Sequence, residues 1–282
     1  MARPLQPVPR LSRFSHLVTR PSHDVPLAEA SLEISRDEHP DLDVASYLAR
    51  LDELAEMARD RIPGGGSPRK RLEALGRFLG REQDFRGDEA RLDKPDNAYL
   101  DRTLDRRRGL PVTLSVIYLS LARRLHLHLA GVSMPLRFIV RLVGEDPALF
   151  IDPFNRGEVL DRDGCSRLLL EISRGEMDLQ PEFLIPVSSR MVLHRILYDL
   201  KLVHLRRRDP RRARKVVDLI LTLHPDAAGE LRDRGMLAYS CLLFGEAVAD
   251  LEQYLEMAPH SKDATAIRAR LASLRRLLPS GN

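Results

Sequence analysis

The chain has 282 residues, 43% of them hydrophobic, which is room for one large domain or two modest ones and argues against wholesale disorder. It has no Trp and few other aromatics, so stacking on nucleic-acid bases is a poor candidate for its main activity. Its 45 basic and 41 acidic residues leave a net charge of +4, too small an excess to require nucleic acid.

Two cysteines, Cys165 and Cys241, form no CxxC or Cys/His cluster, so neither a zinc site nor a disulfide framework is indicated, and a reducing cytoplasm fits. No cofactor is called for. The first twenty residues carry basic side chains but no apolar stretch and do not read as a secretory signal. The most apolar run, LPVTLSVIYLSLA (110–122), is too short to span a bilayer, so no membrane partner is expected.

Residues 1–25 are Pro-rich, lack helical period and read as a mobile extension. Residues 26–185 form the first folded unit. Three helices are predicted, in LAEASLEISRDEHP, DVASYLARLDELAEMARDRI and SPRKRLEALGRFLGRE, from apolar residues at three- and four-residue spacing. Asp43 caps the second, and PGGGSP (63–68) breaks the chain before the third. A short helix over 97–108 ends at Gly109, and Pro111 opens the next. That helix, 111–125, is apolar on most sides, which places it centrally. LAGVSM, FIVRL and LFIDPF then read as three short antiparallel strands. The unit is α+β and mostly helical, with a small antiparallel sheet.

Residues 186–282 are all-α and repetitive. Pro225 and Pro259, Ala213 and Ala247, Leu197 and Leu231, Leu202 and Met236, and Leu221 and Leu255 are each 34 residues apart. This is tetratricopeptide spacing, with Gly235 where the second repeat's helices cross closely and Lys201 at that position in the first. The last helix, DATAIRARLASLRRLL, caps one end. The basic run RRRDPRRARK (206–215) reads as a solvated turn rather than a phosphate-binding patch. RDRG (232–235) faces either the first domain, in an interdomain ion pair, or solvent.

NAYLDRTLDRRRGLPVTLSVIYLSLARRLHL, MPLRFIVRL and LFIDPFNRGEVL resemble the bacterial SirB-type family of transglutaminase-like proteins, and the 186–282 segment resembles that family's tetratricopeptide tail. The resemblance runs from about residue 26 to 277 in one register. It implies a papain/transglutaminase-like core with a Cys–His–Asp plan, the Cys opening the central helix and the His and Asp on neighbouring strands. A helix N-terminus favours the thiolate, the His moves the proton and the Asp orients the imidazole. Carried over, the Cys position falls on or next to Pro111, and the His of a PGHF-like run falls on Arg137. The Asp falls on Asp152. One of the three positions is kept, so the resemblance implies a vestigial site. Arginine is no base near neutral pH, and proline offers no nucleophile. Arg137 and Asp152 are expected side by side within hydrogen-bonding reach.

Other nucleophiles are weaker candidates. Thr113 and Ser115 lie near the same helix start without a base and read as capping or core residues. Cys165 begins a helix after Gly164, which allows a modestly lowered pKa, though a packed thiol is the plainer reading. Cys241 reads as core, and His126 and His128, lacking further ligands, as surface residues rather than a metal site. Three functions stay open. The first is a non-catalytic interaction or regulatory module with a protein or peptide partner. The second is a residual cysteine- or hydroxyl-dependent hydrolase or acyl transferase. The third is a nucleic-acid-associated regulator, which rests on the arginine runs alone.

Overall fold

The structure, a computed structural model, describes residues 11–21, 25–62, 66–91 and 93–277. Most of the Pro-rich start and part of the PGGGSP break lie outside those residues. Two compact units emerge, Met1–Ile196 and Leu197–Asn282. The first ends at residue 196 rather than at 185, inside a continuous helix.

The first unit opens with α1 (Leu11–Val18), a correction to the reading of residues 1–25 as lacking helical period. Phe14, Leu17 and Val18 are buried at three- and four-residue spacing, a stripe too short to stand out among the flanking prolines. α2 (Leu27–Glu38) follows, then α3 (Val44–Arg59), whose N-cap Asp43 accepts from the amides of Ala45 and Ser46. α4 (Pro68–Arg77) is capped by Ser67 and runs on into a π-helical turn, Phe78–Glu82. β1 (Arg86–Gly87) pairs in parallel with β2 (Arg108–Gly109), and α5 (Leu100–Arg106) lies between them in sequence. α6 (Pro111–Arg124) is buried on nearly every side, as its apolar sequence demands.

Against it stands one antiparallel sheet of β3 (Leu129–Met134), β4 (Arg137–Leu142), β5 (Leu149–Asp152), β6 (Glu158–Leu160) and β7 (Pro186–Val187), in the order β6-β5-β4-β3-β7. Five strands replace the expected three; β6 and β7 are too short to show a period of their own. Val132, Met134, Ile139 and Phe150 form one core face with Cys165 and Leu169 of α7 (Arg162–Ile172). α8 (Ser189–Arg206) closes the unit.

In the second unit the end of α8 is followed by α9 (Pro210–Leu223), α10 (Ala228–Ser240), α11 (Phe244–Met257) and α12 (Ala264–Leu277). The basic run at 206–215 is the α8–α9 turn and start of α9: Asp209 caps α9, Arg212 pairs with Asp209 and Arg214 with Glu246. Leu231, Ala238, Ala247, Leu251, Ile267, Leu271 and Leu274 make the core, with α12 covering α11. A Cβ on Gly235 would sit 2.9 Å from Leu251 Cγ, so the two helices cross where only hydrogen fits. Lys201, at the matching position one repeat earlier, is buried with its ammonium 2.6 Å from both Glu230 and Asp233. Arg232 reaches Asp263 at 2.7 Å, and Arg234 reaches Asp250 at 2.6 Å and Asp218 at 3.0 Å. The RDRG charges thus find partners within their own unit, which corrects the interdomain reading. Cys241 is another correction: it caps the end of α10 and is only half-buried.

Candidate functional site

β4 begins at Arg137, after a turn in which Leu136 holds a φ of 61° and stays exposed. β5 ends at Asp152. With Val140 opposite Ile151, continuing the register puts Asp152 across from Ile139. Arg137 and Asp152 therefore project from one face of the sheet. Their closest atoms, Arg137 Nε and Asp152 Oδ2, lie 3.8 Å apart. That is ion-pair distance, but neither atom makes a hydrogen bond, so the expected hydrogen-bonded pair is corrected to a looser contact.

The neighbours explain the gap. Asp152 Oδ1 accepts from the Phe154 amide at 3.0 Å, which turns the carboxylate into its own DPFN turn. The Arg137 guanidinium lies over the Phe154 ring, 4.3 Å from its centroid. Gly87 also packs against this ring: its amide donates to the Phe154 carbonyl at 2.8 Å and its missing Cβ would fall 2.3 Å from the ring. Gly87 pairs with Gly109, two residues before Pro111. Phe154 thus touches both β1 and the Arg137 side chain. No spacing rule in the sequence singles out Phe154.

The turn after Asp152 is locked from below. A Cβ on Gly76 would meet the Gly157 carbonyl at 2.3 Å, and one on Gly80 would meet the Arg156 carbonyl at 1.8 Å. These two glycines, four apart along α4 and its π-helical extension, let the turn lie directly on helix backbone. Tyr118 of α6 is fully buried, and its hydroxyl has no hydrogen-bond partner. Burial, and then the Asp152 charge, push its pKa up. Burial also pushes the Asp152 carboxyl up, against the Arg137 charge and the Phe154 and Asn155 amides that pull it down.

Pro111 stands at the first position of α6 with no side-chain cap before it. Thr113 is buried and donates to the Ala98 carbonyl at 3.2 Å, and Ser115 donates to the Pro111 carbonyl at 2.8 Å. Both hydroxyls are committed to backbone. Cys165 is fully buried, and burial together with the charges of Asp161 and Asp152 pushes its thiol up to about 12. That corrects the lowered pKa allowed from its place near a helix start: desolvation outweighs the helix dipole. His126 and His128 are exposed. Among the described residues no group of three or more His, Cys, Asp or Glu is placed to hold a metal.

Sequence reasoning missed a histidine–carboxylate contact. His39 Nδ1 lies 2.7 Å from Asp101 Oδ2, but His39 Nε2 accepts from Arg102 Nε at 3.3 Å, so its outer nitrogen is engaged by a cation. The sixty-odd residues between them hide the pair from any local pattern. A groove of about 1210 Å³ beside the end of α6 is lined by Leu48, Arg123, His126, His128 and Ser188, and by none of Arg137, Asp152 or Phe154.

Residues 45–198 match the transglutaminase-like superfamily, and residues 200–272 match the tetratricopeptide repeat. A UPF0162 protein of Xylella fastidiosa is 32% identical over 94% of this chain and 95% of its own length. A UPF0162 protein of Vibrio cholerae is 30% identical over 88% and 92%. The protein SirB1 of Salmonella typhimurium is 27% identical over 89% and 94%. No solved structure matches.

Proposed function

We propose, from the premise that the chain belongs to the transglutaminase-like family that includes the UPF0162 proteins and SirB1, that it works as a protein-binding module and not as a catalyst. The observation that carries this reading is the setting of Arg137, which the resemblance assigns to the position of the family's base. A permanently charged guanidinium, stacked on Phe154 and facing a carboxylate, neither takes nor gives a proton at neutral pH. Support comes from the hydroxyls of Thr113 and Ser115, bound to backbone, and from the buried, high-pKa thiol of Cys165. The tetratricopeptide tail supplies the binding role, since such repeats present extended concave surfaces to other proteins. The partner is a protein or peptide rather than nucleic acid, because the densest arginine run is partly spent on Asp209 and Glu246. No helix among the described residues is long and apolar enough to cross a membrane, and both cysteines are free; we place the protein in the cytoplasm.

The test is labelling of the folded chain with electrophilic probes for nucleophilic serines, threonines and cysteines, read by peptide mass spectrometry. Cys165, Thr113 and Ser115 are expected to stay unlabelled until the protein is denatured. Rapid stoichiometric labelling of any of them in the native state, abolished by Asp152→Asn, would establish a working nucleophile and overturn the reading.

A further inference from the structure

Beside the candidate site, guanidinium groups from three separate segments gather on one stretch of chain. Asp84 Oδ2 accepts from Arg108 at 2.7 Å and Oδ1 from Arg156 at 2.7 Å, while Arg86 Nε lies 3.3 Å from the same Oδ1. Arg108 also donates to the Asp84 carbonyl at 2.7 Å and to the Arg107 carbonyl at 2.8 Å, and Arg107 donates to the Gln83 carbonyl at 2.9 Å. Arg86 belongs to β1, Arg108 to β2, and Arg156 to the turn that follows Asp152. Asp84, Arg107 and Arg156 all hold positive φ, at 55°, 57° and 50°. Non-glycine residues in that region carry strain, and such strain collects where a particular geometry serves function.

The charges do not balance. Arg86, Arg108 and Arg156 bring three positive charges to the single negative charge of Asp84, which leaves two. The nearest acidic neighbours along the chain, Glu82 and Asp88, are held by Arg61 at 3.4 Å and Arg106 at 3.7 Å. The cluster is open to water, with the side chains of Arg86, Asp84 and Arg156 40%, 41% and 44% exposed. Nor do the hydrogen bonds balance: Arg86 Nε makes none, and its 3.3 Å approach to Asp84 Oδ1 is an ion-pair contact only. A phosphate monoester carries close to two negative charges and three terminal oxygens, and guanidinium forks match those oxygens.

We propose that the Asp84–Arg86–Arg108–Arg156 cluster is a binding site for a phosphate monoester, with Asp84 holding the three guanidinium groups in position for it. The chemistry is shared by free phosphate, nucleoside monophosphates and phosphorylated side chains, and it does not depend on the protein-binding reading above.

The test is calorimetric titration of the full chain at low ionic strength with inorganic phosphate, adenosine monophosphate and a phosphoserine peptide. Saturable binding of at least one is expected, and the tightest of the three names the source. Arg156→Gln is expected to weaken it by about tenfold or more. Asp84→Asn, which replaces one accepting oxygen with an NH2 donor and so loosens the hold on the guanidinium groups, is expected to weaken it as well. Arg86→Gln serves as a second loss variant should Arg156→Gln melt early. No saturable binding to wild type would overturn the proposal. So would binding indifferent to both arginine variants, or equal affinity for a phosphodiester oligonucleotide, which lacks the dianion.

Discussion

Asp152 keeps one oxygen satisfied by its own turn and leaves the other facing Arg137 at 3.8 Å without a hydrogen bond. Its raised pKa follows from burial that the Arg137 charge only partly offsets. Arg137→Gln therefore strands a carboxylate that is 1% exposed. We expect a cost of about 2 kcal/mol at pH 7, below the figure for a fully buried hydrogen-bonded pair because Arg137 touches water. The cost should shrink as pH falls through the raised Asp152 value, since a neutral carboxyl has no charge to strand. Urea midpoints of wild type and variant at several pH values check this; a cost that grows on acidification contradicts it. Tyr118 makes the opposite case. Its buried hydroxyl has no partner, so Tyr118→Phe should leave stability unchanged or raise it by up to about 1 kcal/mol in a thermal melt. At this scale the motif match placed Arg137 and Asp152 on one face of neighbouring strands. What it could not reach was their separation, which depends on the Phe154 ring and the Gly87 backbone, brought together from positions far apart in sequence.

Elements in this fold are held by backbone contact as much as by side chains. Gly80→Ala would drive a methyl to within 1.8 Å of the Arg156 carbonyl, and both sides of that contact are main chain. We expect more than about 3 kcal/mol of destabilisation, or failure to fold. Gly235→Ala meets the Leu251 side chain at 2.9 Å, a softer neighbour, so about 1–2 kcal/mol should be lost even after the gain in helix propensity. Chemical denaturation of the two variants should rank them in that order. The long helices and the 34-residue repeat were legible because they carry period and caps. α1 was not, because an eight-residue helix with Phe14, Leu17 and Val18 as its buried stripe is too short to show a period. β6 and β7, of three and two residues, are set by the neighbouring strands rather than by their own composition.

At the scale of the whole molecule, six carboxylates among the described residues fall into two sets with opposite pH behaviour. Burial raises Glu33, Asp152 and Asp218. A raised carboxyl binds more protons in the folded state, so its favourable contribution is present at low pH and is lost as pH rises through the folded value. Hydrogen bonds lower Asp84, Asp209 and Asp263 at the surface. Their contribution is present above the unfolded value and is lost as pH falls through the folded one. Salt screens the surface set far more than the buried one. Melting curves across pH should therefore show the stability optimum moving to lower pH in about 0.5 M salt than in dilute buffer. A fixed optimum, or one that moves upward, would count against this division. The α+β class and the helical tail were legible in the sequence, since composition and period decide them. The balance between the two sets of carboxylates was not, because it depends on which side chains the tertiary fold buries.

The Phe154 ring, in contact with both Gly87 and Arg137, bears on any attempt to refit this protein as a catalyst. Installing a thiol at Pro111 and an imidazole at Arg137 supplies the two missing groups but leaves an aromatic ring seated against Gly87, whose strand partner Gly109 lies two residues before Pro111. Retrofitting is thus a problem of clearance before it is one of chemistry. The smallest useful design changes three positions, and its third substitution must shrink Phe154 without loosening the turn that aims Asp152.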